Sequence, residues 1–277
     1  MNENKIDLTR HIETFDLCFL DLETTGLDVI TGDTICEIGI IKVRNRKVID
    51  KFQRLVNPKQ SIPRESFLVH KISDEALKDA PFFEEVIDDT LKFLESSVIC
   101  VYNVEFDMGF LNYELKKMDR GPVEIPAIDI LAMARKTLKL PKYNLGAIAQ
   151  HFNIQGTDNL HRALADAHVT YEVFFKLLDT LRDKKLEQLR DFLSLFGFKN
   201  EIFKSRVAPK TALMEEAIFK QLTLKMRYFS QNNDMEIERI RPLSLYQEKN
   251  VTYLLYEDSK NQNLRINFKH VLDIEVA

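Results

Sequence analysis

The chain predicts an α/β fold, a mixed sheet flanked by helices, with a small β unit behind it. Three observations carry this. Short apolar runs rich in strand formers open the chain at 15–22, 34–43 and 48–56. Apolar positions at helical spacing then alternate with a further strand-like run at 98–102. After about residue 180 the pattern changes, and short strand-like runs separated by Asn-containing turns close the sequence. Strands in series followed by strands alternating with helices imply one mixed sheet covered by helices. The trailing runs imply a small β-barrel or curled sheet.

The run 15–22 ends in Thr-Thr-Gly and reads as a buried strand and a tight turn. The runs 34–43 and 48–56, joined by a polar hairpin link, complete an antiparallel meander. Pro81 opens a helix in which Phe83, Val86, Ile87, Leu91 and Leu94 share a face. A helix is expected at 106–118 after the strand 98–102. More helical pattern follows at 128–138 and at 145–152, the latter with Asn144 as N-cap. A long helix covers 162–181. The amphipathic, charge-rich stretch 184–196 and the polar stretch 197–210 read as a linker with some helix. A helix at 213–222 then precedes strands at 224–229, 236–245, 251–256 and 264–276, with turns at 231–234, 248–250 and 261–263. The domains expected are 1–182, a linker 183–210, and 211–277.

At 277 residues, with 45% apolar and 30% charged residues, the chain has ample material for a large core. Its 39 basic and 43 acidic residues give a net charge of −4. This does not advertise a phosphate-tracking surface, although bound cations restore positive potential locally. No apolar run approaches the roughly 20 residues of a membrane span, and no signal peptide is visible. Cys18, Cys36 and Cys100 stand singly in apolar segments without CxxC spacing, as reduced core thiols do. A cytoplasmic protein away from membranes is the expectation.

Chemistry concentrates in three blocks: Phe19-Leu20-Asp21-Leu22-Glu23-Thr24-Thr25-Gly26, Tyr102-Asn103-Val104-Glu105-Phe106-Asp107, and Leu160-His161-Arg162-Ala163-Leu164-Ala165-Asp166-Ala167. Each puts an acid among apolar residues, where an uncompensated carboxylate is costly. Asp21 and Glu23 alternate on a strand and so share a face. Asp107 belongs at the start of a helix, where the dipole favours an acid. Asp166 lies in the long helix between Ala165 and Ala167, whose size permits close approach to the sheet. His161 would lie roughly 140° from Asp166 on a regular helix, so it belongs on the preceding loop. Hard oxygen ligands with a free imidazole suit divalent ions that cleave a phosphodiester.

These blocks resemble the ExoI, ExoII and ExoIII motifs of the DEDDh exonucleases, an RNase H-like family that includes the DNA polymerase III epsilon proofreading subunit. The likeness covers roughly 14–181, and 55–58, 62–63, His70, 80–81, 128–129 and 143–145 also fall where the family has similar segments. It implies an RNase H-like fold, two Mg²⁺ or Mn²⁺ ions held by Asp21, Glu23, Asp107 and Asp166, and His161 as general base. It implies two-metal hydrolysis from a 3′ end with release of 5′-mononucleotides. It also implies substrate contacts from Thr24, Thr25, Gly26, Val69, His70, Asn103 and Phe106, with Phe106 as a stacking surface. Tyr102 stands where a His is common, and Lys71 where a Gly often follows His70.

Residues 211–277 are similar to a WYL domain, an Sm- or SH3-like β-barrel. Tyr228, Arg239, Pro242 and Thr252-Tyr253-Leu254 carry that likeness, with Thr252 in place of the name-giving Trp. Tyr228, Arg239 and Arg265 are its candidate ligand contacts, and Arg227, Arg239, Arg241 and Arg265 a candidate phosphate-binding face. The function expected is a 3′–5′ exonuclease on single-stranded 3′ ends, DNA favoured over RNA. An oligonucleotide or regulatory ligand would sit on the C-terminal unit, and a polymerase or repair complex would be the partner. The rivals are an exoribonuclease trimming RNA or short oligonucleotides, and a nucleic-acid-sensing regulator. The complete set of acids with their histidine argues against the regulator.

Overall fold

The computed structural model describes residues 6–156, 160–184, 186–198, 210–230, 235–248 and 251–276. Contacts divide the chain into two compact units, Met1–Arg182 with Glu187–Phe198, and Asp183–Leu186 with Lys199–Ala277.

In the first unit β1 (Leu17–Thr24), β2 (Ile35–Arg44) and β3 (Lys47–Leu55) form the expected antiparallel meander. Asn45 and Arg46, both at positive φ, make the tight link between β2 and β3. Then come α1 (Arg64–His70), α2 (Asp74–Leu77) and α3 (Phe83–Leu94). The Glu85 carboxylate caps α3 by accepting the Phe82 N–H at 2.8 Å. Next are β4 (Val98–Val101), parallel to β1, and α4 (Val104–Lys117). They are followed by β5 (Ala127–Asp129), parallel to β4, α5 (Ile130–Thr137) and α6 (Leu145–His151), which Asn144 caps through the Ala147 N–H at 2.8 Å. Helices α7 (Ala163–Leu181) and α8 (Leu189–Phe196) close the unit. The sheet order is β3-β2-β1-β4-β5.

The sheet separates two apolar layers. Cys18, Leu20 and Leu22 face Phe83, Val86, Ile87, Met108 and Leu111 of α3 and α4. On the opposite face Phe19 meets Phe174 of α7, ring centroids 5.5 Å apart. All three cysteines are free and buried.

Several expectations need correction. The start of the stretch 128–138 is strand β5, whose three residues are too short to show a period. The helices α1 and α2 did not stand out in the sequence. The stretch 184–196, read as part of a linker with some helix, supplies the helix α8, whose Phe192 is buried against Phe174 at 6.4 Å between ring centroids. Residues 199–209 of that stretch, and the turns at 231–234 and 249–250, lie outside the described residues.

The second unit holds α9 (Lys210–Lys220), β6 (Leu224–Phe229), β7 (Met235–Glu248), β8 (Val251–Glu257), β9 (Asn263–Asn267) and β10 (Val271–Val276). They form one antiparallel sheet in the order β10-β6-β7-β8-β9. The run 264–276 is thus two strands, parted by a 3-10 turn at Phe268–His270 that brings β10 to the other end of the sheet. β7 pairs with β6 through Met235–Ile240 and with β8 from Arg241 onward, its register shifting between Pro242 and Ser244. That change of partner is how a sheet turns a corner. Among the described residues β10 and β9 are the two ends of this five-stranded sheet. Met214, Leu224, Met226, Ile240, Leu254 and Phe268 fill its core. Among the described residues no helix is long and apolar enough to cross a membrane.

Candidate active site

Along β1 the residues Leu17, Phe19, Asp21 and Glu23 form one row facing α7. Phe19 is apolar contact, while Asp21 and Glu23 lie at the end of the strand where α7 begins. Across the ladder Asp21 faces Gly39 and Glu23 faces Glu37. A Cβ on Gly39 would lie 2.3 Å from Ala163 C and Leu164 N. The bare glycine therefore lets the first turn of α7 rest directly on β2. That approach brings Asp166 to the two acids of β1. Asp21, Glu23 and Asp166 each offer a carboxylate oxygen, and these lie within 4.8 Å of one another.

Asp107 stands beside this trio without belonging to it at that distance. It is 4% exposed, in the first turn of α4. Its Oδ1 accepts the Leu22 N–H at 2.9 Å. β4 pairs β1 only as far as Leu20, so the carboxylate takes a donor for which β4 has no carbonyl left. The start of α4 is thereby tied to the strand between Asp21 and Glu23.

The four carboxyl groups strain one another. Burial, then the charges of Asp107, Asp166 and Glu23, holds Asp21 well above the usual carboxyl range. Burial, then Asp166, Glu37 and Asp107, pushes Glu23 up to about 8. Burial also raises Asp107 and Asp166, although both accept backbone hydrogen bonds that favour the charged form. Buried acids facing one another are short of positive charge, and hard oxygen donors are what Mg²⁺ and Mn²⁺ take. The residues fit such ions.

His161 lies on the loop before α7, as its phase relative to Asp166 requires. Its side chain is exposed and its backbone is left-handed, φ 72. That conformation costs a residue with a Cβ about 1–2 kcal/mol. Asp166 Oδ1 compensates by accepting the His161 N–H at 2.9 Å.

Two residues of this region escaped the sequence reading. Glu37 is fully buried in β2 and binds the Arg162 guanidinium through Nε at 3.0 Å and Nη2 at 2.7 Å. It also accepts from Ala163 N at 3.1 Å and Gln53 Nε2 at 2.7 Å. Burial pushes Glu37 up, but the hydrogen bonds from Arg162, Gln53 and Ala163 outweigh it and leave the carboxyl below its usual value. A single acid and a glycine inside the apolar run Ile35-Cys36-Glu37-Ile38-Gly39-Ile40 were the available signal.

The expected substrate contacts are placed unevenly. Thr24 and Thr25 are buried, and their hydroxyls are engaged within the loop. Thr24 Oγ1 donates to Gly26 O at 2.5 Å, and Thr25 Oγ1 accepts from Thr34 N and Gln60 Nε2, each at 3.0 Å. A Cβ on Gly26 would overlap the Asp33 carboxylate. His70 is buried; its Nδ1 accepts the Ile72 N–H at 3.0 Å, and it hydrogen-bonds to the Thr24 backbone. The buried ring thus ties the segments around it together, with Nε2 4.0 Å from Cys36 Sγ. Val69 and Asn103 are exposed, and Phe106 is half-buried against Phe110, ring centroids 4.9 Å apart. In the second unit Arg241 pairs with Glu257 and Arg265 with Glu248, while Arg227 is buried and Arg239 exposed. Two of the four arginines of the expected basic face are thus paired with carboxylates.

Two acids at the carboxyl end of β1, a third in the first turn of α7, a fourth in the first turn of α4 and an exposed histidine define a hydrolase site of the DEDDh exonuclease type. Residues 18–174 match the exonuclease family RNase_T. The chain is 39% identical over 164 residues to the DNA polymerase III subunit epsilon of Rickettsia felis, spanning 57% of this chain and 72% of that protein. It is 36% identical over 186 residues to the PolC-type DNA polymerase III of Thermotoga maritima, spanning 65% of this chain and 14% of that much longer protein. Among solved structures, the nuclease domain of 3′hExo bound to rAMP superposes with a TM-score of 0.55 at 15% identity, covering 60% of this chain and 92% of that one. An E. coli ExoI–ssDNA complex superposes with a TM-score of 0.55 at 18% identity, covering 88% of this chain and 54% of that one. At these identities the likeness speaks for the fold, an RNase H-like α/β sheet. The chain belongs to the exonuclease family, and it is a 3′–5′ exonuclease, a hydrolase of phosphodiester bonds. Exonucleases of this type use divalent metal ions.

Proposed function

We propose that the protein removes nucleotides from the 3′ ends of single-stranded nucleic acid, DNA in preference to RNA, and releases 5′-mononucleotides. One observation carries the reading: the carboxylates of Asp21, Glu23 and Asp166 converge within 4.8 Å. Two Mg²⁺ or Mn²⁺ ions would be held by Asp21, Glu23, Asp107 and Asp166, and when bound they supply charge and Lewis acidity to phosphodiester hydrolysis. His161 receives the proton of the attacking water. Its ring is exposed on a loop whose backbone is held by Asp166, and histidine is the side chain most often used as a general base. Asp107 also keeps α4 docked on β1, so that the acids hold their spacing. The preference for DNA rests on the relatives, a DNA polymerase III subunit epsilon and a PolC-type DNA polymerase III, and a polymerase or repair assembly in the cytoplasm is the setting we extend to this chain.

The C-terminal unit serves in this reading as a WYL-like accessory module. It bears a cleft of about 460 Å³ lined by Tyr228, Tyr253, Tyr256, Arg265 and His270. The Arg265 guanidinium lies 5.2 Å from the centroid of the Tyr253 ring. Aromatic faces with a cation suit the bases of an oligonucleotide. The test is incubation of the full chain with 5′-labelled single-stranded DNA and RNA, in Mg²⁺, Mn²⁺ or EDTA, beside Asp21→Ala and Tyr253→Ala. Stepwise shortening that needs the metal and Asp21 is expected, faster on DNA. Faster trimming of RNA would reverse the substrate preference. Unchanged binding by Tyr253→Ala would remove the cleft from the reading.

A further inference from the structure

We infer that Glu37 and Arg162 form a positioning pair that sets His161 over the acid cluster by clasping the backbone on its C-terminal side. The inference rests on the reading of His161 as the proton acceptor.

The His161 side chain is exposed, and among the described residues no hydrogen bond or ring contact holds its ring. Its position must come from the main chain, which is held in a left-handed conformation that needs external support. Three attachments supply that support. Asp166 Oδ1 holds the His161 N–H on one side. On the other, Glu37 holds the Arg162 side chain by a two-pronged ion pair and the Ala163 N–H by a hydrogen bond. Arg162 occupies the N-cap position of α7 in an extended conformation, and its side chain makes no cap. It turns back onto β2 instead, where the buried Glu37 lies opposite Glu23 in the ladder. One end of the clasp is therefore registered to the same strand pair that carries Asp21 and Glu23. Gln53 of β3 steadies the carboxylate from the far side. A forked guanidinium fits this task, since its planar geometry fixes direction as well as distance.

The pair touches no reacting atom in this account, so its effect must pass through His161. That gives a test. Glu37→Gln, His161→Ala and the double variant of the full-length protein are compared on a labelled oligonucleotide with saturating Mn²⁺, and amide exchange at His161 is followed in EDTA. For Glu37→Gln, kcat should fall about a hundredfold, as for a catalytic group moved by about an ångström, with KM changed by less than about threefold. The His161 amide should exchange at least about tenfold faster without metal. In the His161→Ala background Glu37→Gln should cost almost nothing more, because the two act as a unit.

Native kcat in a folded Glu37→Gln protein would overturn the inference. So would a full additional loss in the His161→Ala background, which is what damage to the acid cluster itself would produce. If Glu37→Gln does not fold, Arg162→Lys, which keeps a cation opposite Glu37 but loses the fork, is judged by the same criteria. A fully active His161→Ala would instead refute the role of His161, and unchanged exchange at residue 161 would refute the clasp whatever the rates.

Discussion

Asp21 faces Gly39 across the β1–β2 ladder, and the main chain of Ala163 and Leu164 rests on that glycine. The metal-facing edge of the sheet and the helix bearing Asp166 are thus in register only because β2 lacks one side chain there.

Gly39→Ala should therefore do more than add a methyl group. A Cβ at 2.3 Å from backbone atoms forces α7 outward, at a cost of about 1–3 kcal/mol. Urea unfolding should show that loss, and nuclease activity should fall further than stability does, as Asp166 leaves Asp21. A variant with native stability and rate would show that α7 can ride on an alanine.

Removing metal should make the protein sensitive to alkali. A carboxyl raised in the folded state keeps its proton there after the unfolded chain has lost its own, so stability falls as pH rises between the two values. For Glu23 the window runs from 4.5 to about 8, and the raised Asp21, Asp107 and Asp166 add to it. In EDTA the unfolding free energy should drop by about 1–3 kcal/mol between mildly acidic and mildly alkaline buffer. Saturating Mn²⁺ should restore it at the alkaline end. A flat profile that Mn²⁺ does not lift would mean that the acids are not strained.

His161→Ala should separate catalysis from folding. The ring is exposed, so melting should move little, within about 0.5 kcal/mol of stability. Loss of a general base should lower kcat by about 10²–10⁴-fold. Unaltered kcat at neutral pH would assign the proton transfer elsewhere.

Thr25→Val tests the loop after β1. The hydroxyl it removes is 1% exposed at the residue level and serves the Thr34 N–H and the Gln60 amide. Leaving those donors unpaired should cost about 1–3 kcal/mol. Calorimetry would show it, and a Tm equal to that of the native chain would mean that water replaces the hydroxyl.

Local chemistry let the sequence by itself determine a great deal. β-Branched and aromatic runs set β1, β2, β3 and β4, helical spacing set α3, and Asn144 marked the start of α6. Alternation along β1 put Asp21 and Glu23 on one face, and the phase between His161 and Asp166 put the histidine on a loop. Periodicity and capping operate within a few residues, so they are legible in one dimension. What the tertiary structure decided joins residues far apart in the chain. The Asp107 bond to Leu22, the bearing of α7 on Gly39 and the clasp of Arg162 by Glu37 each depend on which strand ends where. The short β5, α1 and the division of the last run into β9 and β10 likewise follow from neighbours in space. A buried acid in an apolar strand signals that a partner must exist; only the fold names Arg162 as that partner, because the cost of burying charge is settled by whatever packing brings to it.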